Sequence, residues 1–347
     1  MLKDKKKKYP PISIIIVTLN AQRTLESCLR YIKLQTYPRI DEVLIIDGGS
    51  TDSTSKIASK PILPIKFING GYKDNQEARR AIGIDKSRNE ICVFIDSDNY
   101  IVDKNWLMDM VQPLMEDKNI IASQTLRYSA PRNASLLNRY FGLLGGADPV
   151  AYYLGKNDRL SWASNRWNLL GKVIQGNDRY LIVEFDSGNF PTVGANGIVF
   201  RRSILLKSNW GDPENFFHTD VFVDIARLGF TRFAIIKNEI FHNTADNIKT
   251  FFGKRRKYME LYHQKLNEKR RYHTFNSKNF ADLARLFLFI FFTFTIVEPL
   301  FESIRGYLKK RDIAWFLHPI ICLGIVVVYF ESAIYNLARN SLSYKKK

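Results

Sequence analysis

The sequence predicts an α/β fold: a mostly parallel sheet flanked by helices, then interfacial helices and a transmembrane helical hairpin. Three observations carry this expectation. Short β-branched apolar runs alternate with helix-period segments in the first third of the chain. Three of those runs end in polar or acidic residues, and two long apolar stretches lie near the C-terminus.

Residues 12–17 are a nearly uninterrupted β-branched run, the pattern of a strand buried on both faces. Residues 24–34 carry Leu25, Cys28, Leu29 and Ile32 at helical spacing, and Tyr37-Pro38 stops that helix. Residues 43–46 form the next strand, ending in Asp47-Gly48-Gly49-Ser50-Thr51-Asp52. The glycines permit a tight turn there, and Ser50 or Asp52 caps the helix that follows. Residues 65–68 read as a short strand and 75–85 as a helix with Ala78, Ala81 and Ile82 inward. Residues 91–95, Ile-Cys-Val-Phe-Ile, are a further buried strand, and Asp103 caps a helix through Met115. Strands alternating with helices at this spacing imply right-handed βαβ units.

Parallel strands share a direction, so Asn20, Asp47 and the pair Asp96 and Asp98 meet at one rim of the sheet. That rim is where open α/β sheets bind ligands. Two hard oxygen ligands one residue apart suit Mg²⁺ or Mn²⁺, completed by substrate phosphates and water. A turn or capping role stays open for each of these residues, and for Asp52 it is equally weighted.

At this point four motifs in order resemble family 2 glycosyltransferases of the GT-A fold. They are Pro11-x-Ser13 through Thr18-x-Asn20, Gln35-Thr36-Tyr37-Pro38, Glu42 through Asp52, and Ala78-Arg79 with Phe94-Ile95-Asp96-Ser97-Asp98. The resemblance implies that Thr18, Asn20, Asp47, Arg79 and Asp96 bind the nucleotide-sugar donor, with Asp47 on the base. It also implies a Mg²⁺ or Mn²⁺ ion on Asp96 and Asp98 that holds the donor diphosphate. A carboxylate at Asp47 suits base N–H groups, and a metal suits a diphosphate that departs with the bond electrons. No G-x-x-x-x-G-K-[ST] occurs, and no G-x-G-x-x-G follows the first strand, which argues against a P-loop or dinucleotide enzyme.

Residues 120–190 are less regular and rich in aromatics, Gly and Asn. Trp162, Trp167, Tyr152 and Tyr153 interleave with Arg159, Arg166 and Arg179, a pattern for stacking on sugars, lying on lipid headgroups, or plain packing. Trp162 and Asp148 are candidate acceptor contacts. Gly194 and Asn196, in the run from Phe190 to Arg202, resemble the family's segment before the acceptor site. His218-Thr219-Asp220 opens a helical pattern, and Asp220 matches the family's catalytic base. Thr219 replaces the usual Glu and Phe222 the usual second acid. His242 matches a family histidine near the diphosphate or metal.

The chain of 347 residues holds 52 Lys and Arg against 34 Asp and Glu, a net charge of +18 that implies an anionic partner. That charge clusters beside apolar segments and no nucleic-acid motif occurs, so nucleic acid is not expected. Three scattered cysteines form no pairing framework, which suits a reducing compartment. The lysine-rich N-terminus is followed by no apolar signal region. Residues 246–273 read as a basic amphipathic surface for anionic membrane. Lys257 and Tyr258 within them resemble, in degenerate form, a motif that serves the donor diphosphate and acceptor in cellulose-synthase-like enzymes. Residues 280–301 and 313–330 are each of spanning length, with residues 305–312 as the turn between them. Arg305, Lys309, Lys310 and Arg311 in that turn oppose the positive-inside rule, but the basic helix and both lysine-rich termini outweigh them. A re-entrant hairpin is the alternative.

The expected division is a catalytic domain at 1–245 (donor half about 10–118, acceptor half about 119–245), interfacial helices at 246–278, and a membrane hairpin with basic tail at 279–347. The expected function is a membrane-bound, metal-dependent inverting transferase with its catalytic domain in the cytoplasm. It would move a hexose, mannose from GDP-mannose favoured, to a lipid-linked acceptor such as a dolichol- or polyprenol-linked glycan. The alternatives are a processive UDP-sugar polysaccharide synthase and a silent, membrane-tethered interaction protein.

Overall fold

A computed structural model describes residues 9–344. The terminal lysines at 3, 5–8 and 345–347 lie outside the described residues. The chain forms two compact units, Met1–Ser129 with Leu169–Asn243, and Ala130–Asn168 with Thr244–Lys347. Residues 130–168, expected in the catalytic half, therefore belong to the same unit as the C-terminal helices.

In chain order the elements are β1 (Ile12–Thr18), α1 (Leu25–Lys33), β2 (Ile40–Asp47), α2 (Thr54–Ala58), β3 (Ile65–Asn69), α3 (Gln76–Lys86), β4 (Ile91–Phe94), β5 (Asn99–Tyr100), α4 (Trp106–Glu116) and β6 (Ile120–Tyr128). The second unit then takes α5 (Leu136–Leu144) and α6 (Pro149–Tyr153). The first unit resumes with β7 (Lys172–Gly176), β8 (Tyr180–Glu184), β9 (Ile198–Arg201), α7 (Arg202–Leu205), α8 (His218–Arg227) and β10 (Arg232–His242). The second unit closes with α9 (Ile248–Glu260), α10 (Phe280–Thr295), α11 (Val297–Lys309) and α12 (His318–Tyr344).

All ten strands form one sheet in the order β3-β2-β1-β4-β9-β6-β10-β8-β7, with β5 paired to β10. From β3 to β4 the pairs are parallel, as the sequence implies. Beyond β4 the sheet is mixed: β9 runs antiparallel between β4 and β6, and β8 pairs antiparallel with both β10 and β7. The cause is the connections. Parallel neighbours need a crossover of a dozen or more residues, whereas three residues join β7 to β8, and a short link allows only a hairpin. Both faces of β1 are covered. Ile12, Ile14 and Ile16 join one core with Leu25, Cys28, Leu29 and Ile32 of α1. Each fully buried side chain of this kind contributes roughly 2 kcal/mol.

The second unit has its own core, in which Tyr140, Phe141, Leu144, Trp315, Ile321 and Ile325 meet. Its buried charges are paired. Lys156 Nζ lies 2.6 Å from Asp282 Oδ2, and Arg255 donates to Asp148 and Tyr329. The expected first span is not one helix. α10 and α11 meet at 89° at Ile296, whose φ is +62°. Pro299 accounts for the break: in a continuous helix its ring would clash with the carbonyl of Thr295, but it is tolerated in the first turn of a new helix. α10 alone has 16 residues, about 24 Å, short of the ~30 Å hydrocarbon layer. Arg305 and Lys309, expected in a turn, lie inside α11. Among the described residues one helical stretch, Ile313–Tyr335, is long and apolar enough to cross a membrane.

One buried charge sets the acid sensitivity of the sheet. Glu42 of β2 accepts from Ser13 Oγ at 2.7 Å, the Arg88 amide at 2.8 Å, Lys66 Nζ at 2.9 Å and Arg88 Nε at 3.0 Å. Burial raises its pKa, but the bonds from Arg88, Lys66 and Ser13 carry it below the ordinary glutamate value. A carboxyl lowered on folding stabilises the fold above its unfolded pKa and loses that contribution as pH falls. Glu42→Gln is expected to lower stability at pH 7 by about 2 kcal/mol and to shrink the further loss between about pH 5 and pH 3. Urea unfolding of the detergent-solubilised chain at several pH values checks this, and an unaltered midpoint at pH 7 contradicts it.

Candidate active site

The loops that leave β1 and β2 are laced together at the carboxyl rim. Asp47 ends β2 and is buried. Its Oδ1 accepts from Thr18 Oγ1 at 2.7 Å and Ser50 Oγ at 2.6 Å, and its Oδ2 from the amides of Gly49 and Ser50 at 2.9 and 2.7 Å. Burial raises its pKa, but the bonds from Ser50, Thr18 and Gly49 more than offset this and hold the carboxyl below the ordinary aspartate value. Gly49 takes φ +89°, which its missing Cβ allows. Asn20, at φ +50°, accepts from the Thr51 amide at 2.9 Å and donates its own amide to Ser50 Oγ at 2.8 Å. Asp52 closes the set, accepting from the amides of Thr54 and Gln22.

α3 begins at the same rim, because β3 delivers the chain there. Asn75 caps it, accepting from the amides of Glu77 and Ala78. Arg79 turns toward the loop before the helix and donates to the carbonyls of Tyr72 and Lys73 at 2.6 and 2.9 Å. Its guanidinium lies so close to Gly48 that a Cβ there would stand 2.6 Å from Nη1. Arg80 turns the other way. It is only 2% exposed, donates Nη1 to Glu77, and donates Nη2 to both oxygens of Asp96 at 2.7 and 2.8 Å.

Asp96 and Asp98 follow β4, but they face different partners. Asp96 is held by Arg80; burial and the neighbouring Asp98 push its carboxyl above the ordinary aspartate value, against the pull of Arg80. Asp98 Oδ2 stands 3.5 Å from His242 Nε2. The antiparallel pairing of β5 with the end of β10, His242 opposite Asn99, creates that proximity. Tyr128 packs on the His242 ring at 5.8 Å, and Asn196 Nδ2 donates to the Tyr128 hydroxyl at 3.2 Å. Gly194, two residues earlier, is half-buried.

These side chains offer a divalent metal only part of a ligand set. Asp98 and His242, both partly open to solvent, supply one oxygen and one nitrogen at a separation that a shared ion tolerates. Among the described residues no three His, Cys, Asp or Glu side chains converge, so remaining ligands would come from phosphate and water. An imidazole nitrogen favours Mn²⁺ over Mg²⁺.

α8 starts beside α3. The Glu77 carboxylate Oε2 accepts from the His218 amide and lies 2.9 Å from His218 Nδ1. Burial would raise the Glu77 pKa, but Arg80 and His218 hold the carboxyl well below the glutamate range. Asp220, the expected base, is 0% exposed in the first turn of α8. Thus Asn20, Asp47, Arg79, Asp96, Asp98, His242 and Asn196 all belong to the first unit. Asp148, Trp162, Lys257 and Tyr258 belong to the second. There Asp148 pairs with Arg255, Lys310 Nζ sits 4.1 Å over the Trp162 ring, Lys257 is exposed, and the Tyr258 ring packs at a tilt against Tyr262. Sequence reasoning missed Glu77 and Arg80, and it left His218 without a role. The available signal was an opposite-charge pair at i, i+3 on the helix face that also carries Ala81 and Ile84.

The Glycosyl transferase family 2 profile matches residues 13–190, just over half of the chain. The chain belongs to glycosyl transferase family 2. It is 28% identical over 135 residues to Glycosyltransferase AglE of Haloferax volcanii, covering 38% of this chain and 44% of that one. It is 29% identical over 97 residues to the GalNAc(5)-diNAcBac-PP-undecaprenol beta-1,3-glucosyltransferase of Campylobacter jejuni, covering 27% of this chain and 31% of that one. The matched stretches thus span less than half the length of these curated relatives. Among solved structures, the mannosyltransferase PcManGT from Pyrobaculum calidifontis, in complex with GDP-Man and Mn²⁺, aligns at TM-score 0.49 and 14% identity, over 94% of this chain and 91% of that one.

Arg80 is the charge on which this site balances. Arg80→Ala is expected to lower stability by about 3 kcal/mol, because it removes the guanidinium partner of the buried Asp96 and of one Glu77 oxygen. Arg80→Lys is expected to recover only part of that, since an ammonium lacks the planar fork that spans both carboxylates. Denaturant midpoints of the three proteins decide it, and equal midpoints for Lys and Arg would falsify the bidentate assignment.

Proposed function

We propose that this protein is a membrane-bound, metal-dependent inverting glycosyltransferase that moves a hexose from a nucleotide sugar to a lipid-linked acceptor. The observation that carries this reading is the placement of Asp47, Asp96 and Asp98, all in the matched family 2 stretch, at one sheet rim, with His242 from the end of β10 brought to Asp98. Asp98 and His242 would hold Mn²⁺ or Mg²⁺, and the ion's contribution is charge on the donor diphosphate as the glycosidic bond breaks. Asp96, fixed by Arg80, borders the same place. The laced loop of Thr18, Asn20 and Asp47 forms the nucleoside end, with Asp47 shaping the backbone that meets the base. The proton acceptor for the incoming hydroxyl belongs in the first turn of α8, where the family resemblance points to Asp220. One base and no nucleophilic carboxylate suit inversion.

A lipid-linked acceptor and a membrane location are supported by exposed apolar surface on the second unit. Phe287, Phe294, Val297, Phe301, Leu308 and Phe330 are each more than 60% exposed, a burden that water does not favour. The name of the Campylobacter relative describes a polyprenyl-linked acceptor for that enzyme. Gly194 and Asn196 are the proposed acceptor-side residues of the first unit. GDP-mannose is the first donor to try, and the catalytic domain is expected on the cytoplasmic face.

Membranes carrying the chain, given a panel of GDP- and UDP-sugars and a short polyprenyl-phosphate-linked acceptor, are expected to release nucleoside diphosphate. EDTA should stop this and Mn²⁺ restore it. Asp98→Ala with His242→Ala is expected to lose about 100-fold in rate. Turnover that ignores EDTA would remove the metal, and silence with every donor would remove the transferase reading. Release of the chain from membranes by high salt alone would remove the integral anchor.

A further inference from the structure

Resting on the membrane location proposed above, we propose that the second unit is a monotopic anchor. In it α10, α11 and α12 lie within one leaflet, none of them crosses the bilayer, and the basic side chains of α9 meet anionic headgroups of that leaflet. All three helices return to one short element, α6. Tyr153 packs on Phe289 of α10 at 5.1 Å and donates to Glu298 of α11, and Tyr152 donates to Glu302 at 2.8 Å. The Tyr153 hydroxyl also lies 3.0 Å from His318 Nε2, at the start of α12. A helix of 5 residues is only about 7.5 Å long, so these contact points share nearly one depth.

α12 decides the topology. Its first turn is held by Tyr140, whose hydroxyl lies 2.7 Å from His318 Nδ1, and its second half lies along α9. The Phe252 ring covers Gly324 so closely that a Cβ there has no room. Arg255 donates to the Tyr329 hydroxyl, and Arg256 Nε donates to Glu331 at 2.7 Å. In an upright α12 entering the bilayer at Asp312, Gly324 would lie about 18 Å deep, near the middle of the ~30 Å hydrocarbon layer. The exposed Lys254, Arg256 and Lys257 of α9 would be carried into lipid with it, where cations are costly. The Arg256 and Glu331 side chains are 51% and 50% exposed, so protein does not shield that pair. A unit lying in the plane of the membrane avoids this cost. α9 then stays at headgroup depth, and Phe287 and Phe294 of α10, Phe301 and Leu308 of α11, and Leu323 and Phe330 of α12 supply the apolar side chains for the acyl layer. The 89° turn between α10 and α11 suits two arms in one leaflet, since one arm of such a pair cannot run with the other across the bilayer.

The test uses the full chain in sealed, inverted membrane vesicles and a membrane-impermeant maleimide. The three native cysteines are buried, so single reporters at Lys249→Cys, Lys309→Cys and Lys345→Cys carry the signal. They report on the start of α9, the end of α11 and the position just past α12. All three are expected to label from outside the sealed vesicles to the extent seen after detergent is added. A crossing α12 places Lys309 and Lys345 on opposite faces, so a reporter at either position that labels only in detergent overturns the proposal. A second arm reads the headgroups by flotation of the full chain with phosphatidylcholine vesicles with or without phosphatidylglycerol. Lys254→Gln, Arg256→Gln and Lys257→Gln together are expected to weaken association with the anionic vesicles about 10-fold or more and to leave neutral vesicles unaffected. Equal loss on both vesicle types, or none, overturns the headgroup assignment. Failure of the membrane location itself is distinct: the parent chain then stays soluble, for example as a dimer of two copies joined through the apolar side chains. Failure of the transferase reading shows as silence with every donor and leaves the labelling pattern untouched.

Discussion

A buried guanidinium governs the first unit. Arg80 lies inside the protein, where an unpaired charge is heavily penalised, and it is tolerated because Glu77 and Asp96 bind it on two sides. The three side chains tie the first turn of α3 to the end of β4. Glu77 extends the tie to the first turn of α8 through His218. Removing any member leaves charges stranded in low dielectric, so the orientation of the rim residues is set by electrostatics more than by shape.

Two backbone devices complete the rim. The turn after β2 depends on Asp47, whose oxygens take four hydrogen bonds and fold Gly48, Gly49 and Ser50 into a tight loop. The two-residue strand β5 pairs with the end of β10 and brings His242 to Asp98 across about 140 residues of chain. A carboxylate used in this way is a scaffold first, and whatever ligand arrives meets a preorganised surface. Preorganisation of charge is what a reaction with a departing diphosphate requires.

The second unit obeys a different constraint. Its interior is packed and its ions are paired, yet α10, α11 and α12 present large apolar side chains outward. Pro299 bends the α10–α11 pair by 89°, which turns an apolar stretch of spanning length into two shorter arms. The outward Phe, Val and Leu side chains on both arms make the lipid interface a natural solvent for them.

By itself the sequence determined the strand and helix alternation through α4, the rim positions of Asn20, Asp47, Asp96 and Asp98, and the family. Those features are local: β-branched runs, helical spacing and motif order are written within short windows. It also held the α10–α11 break in Glu298-Pro299, which composition alone obscured under a long apolar run. Tertiary structure decided that β9 returns antiparallel, that residues 130–168 join the C-terminal unit, and that Asp96 and Asp98 turn to different partners. It also decided that Asp220 is buried while His218, joined to Glu77, is half-buried. These outcomes rest on pairings between residues 16 to more than 140 positions apart, and no spacing rule along the chain encodes which charged group will be enclosed and which will stay partly exposed.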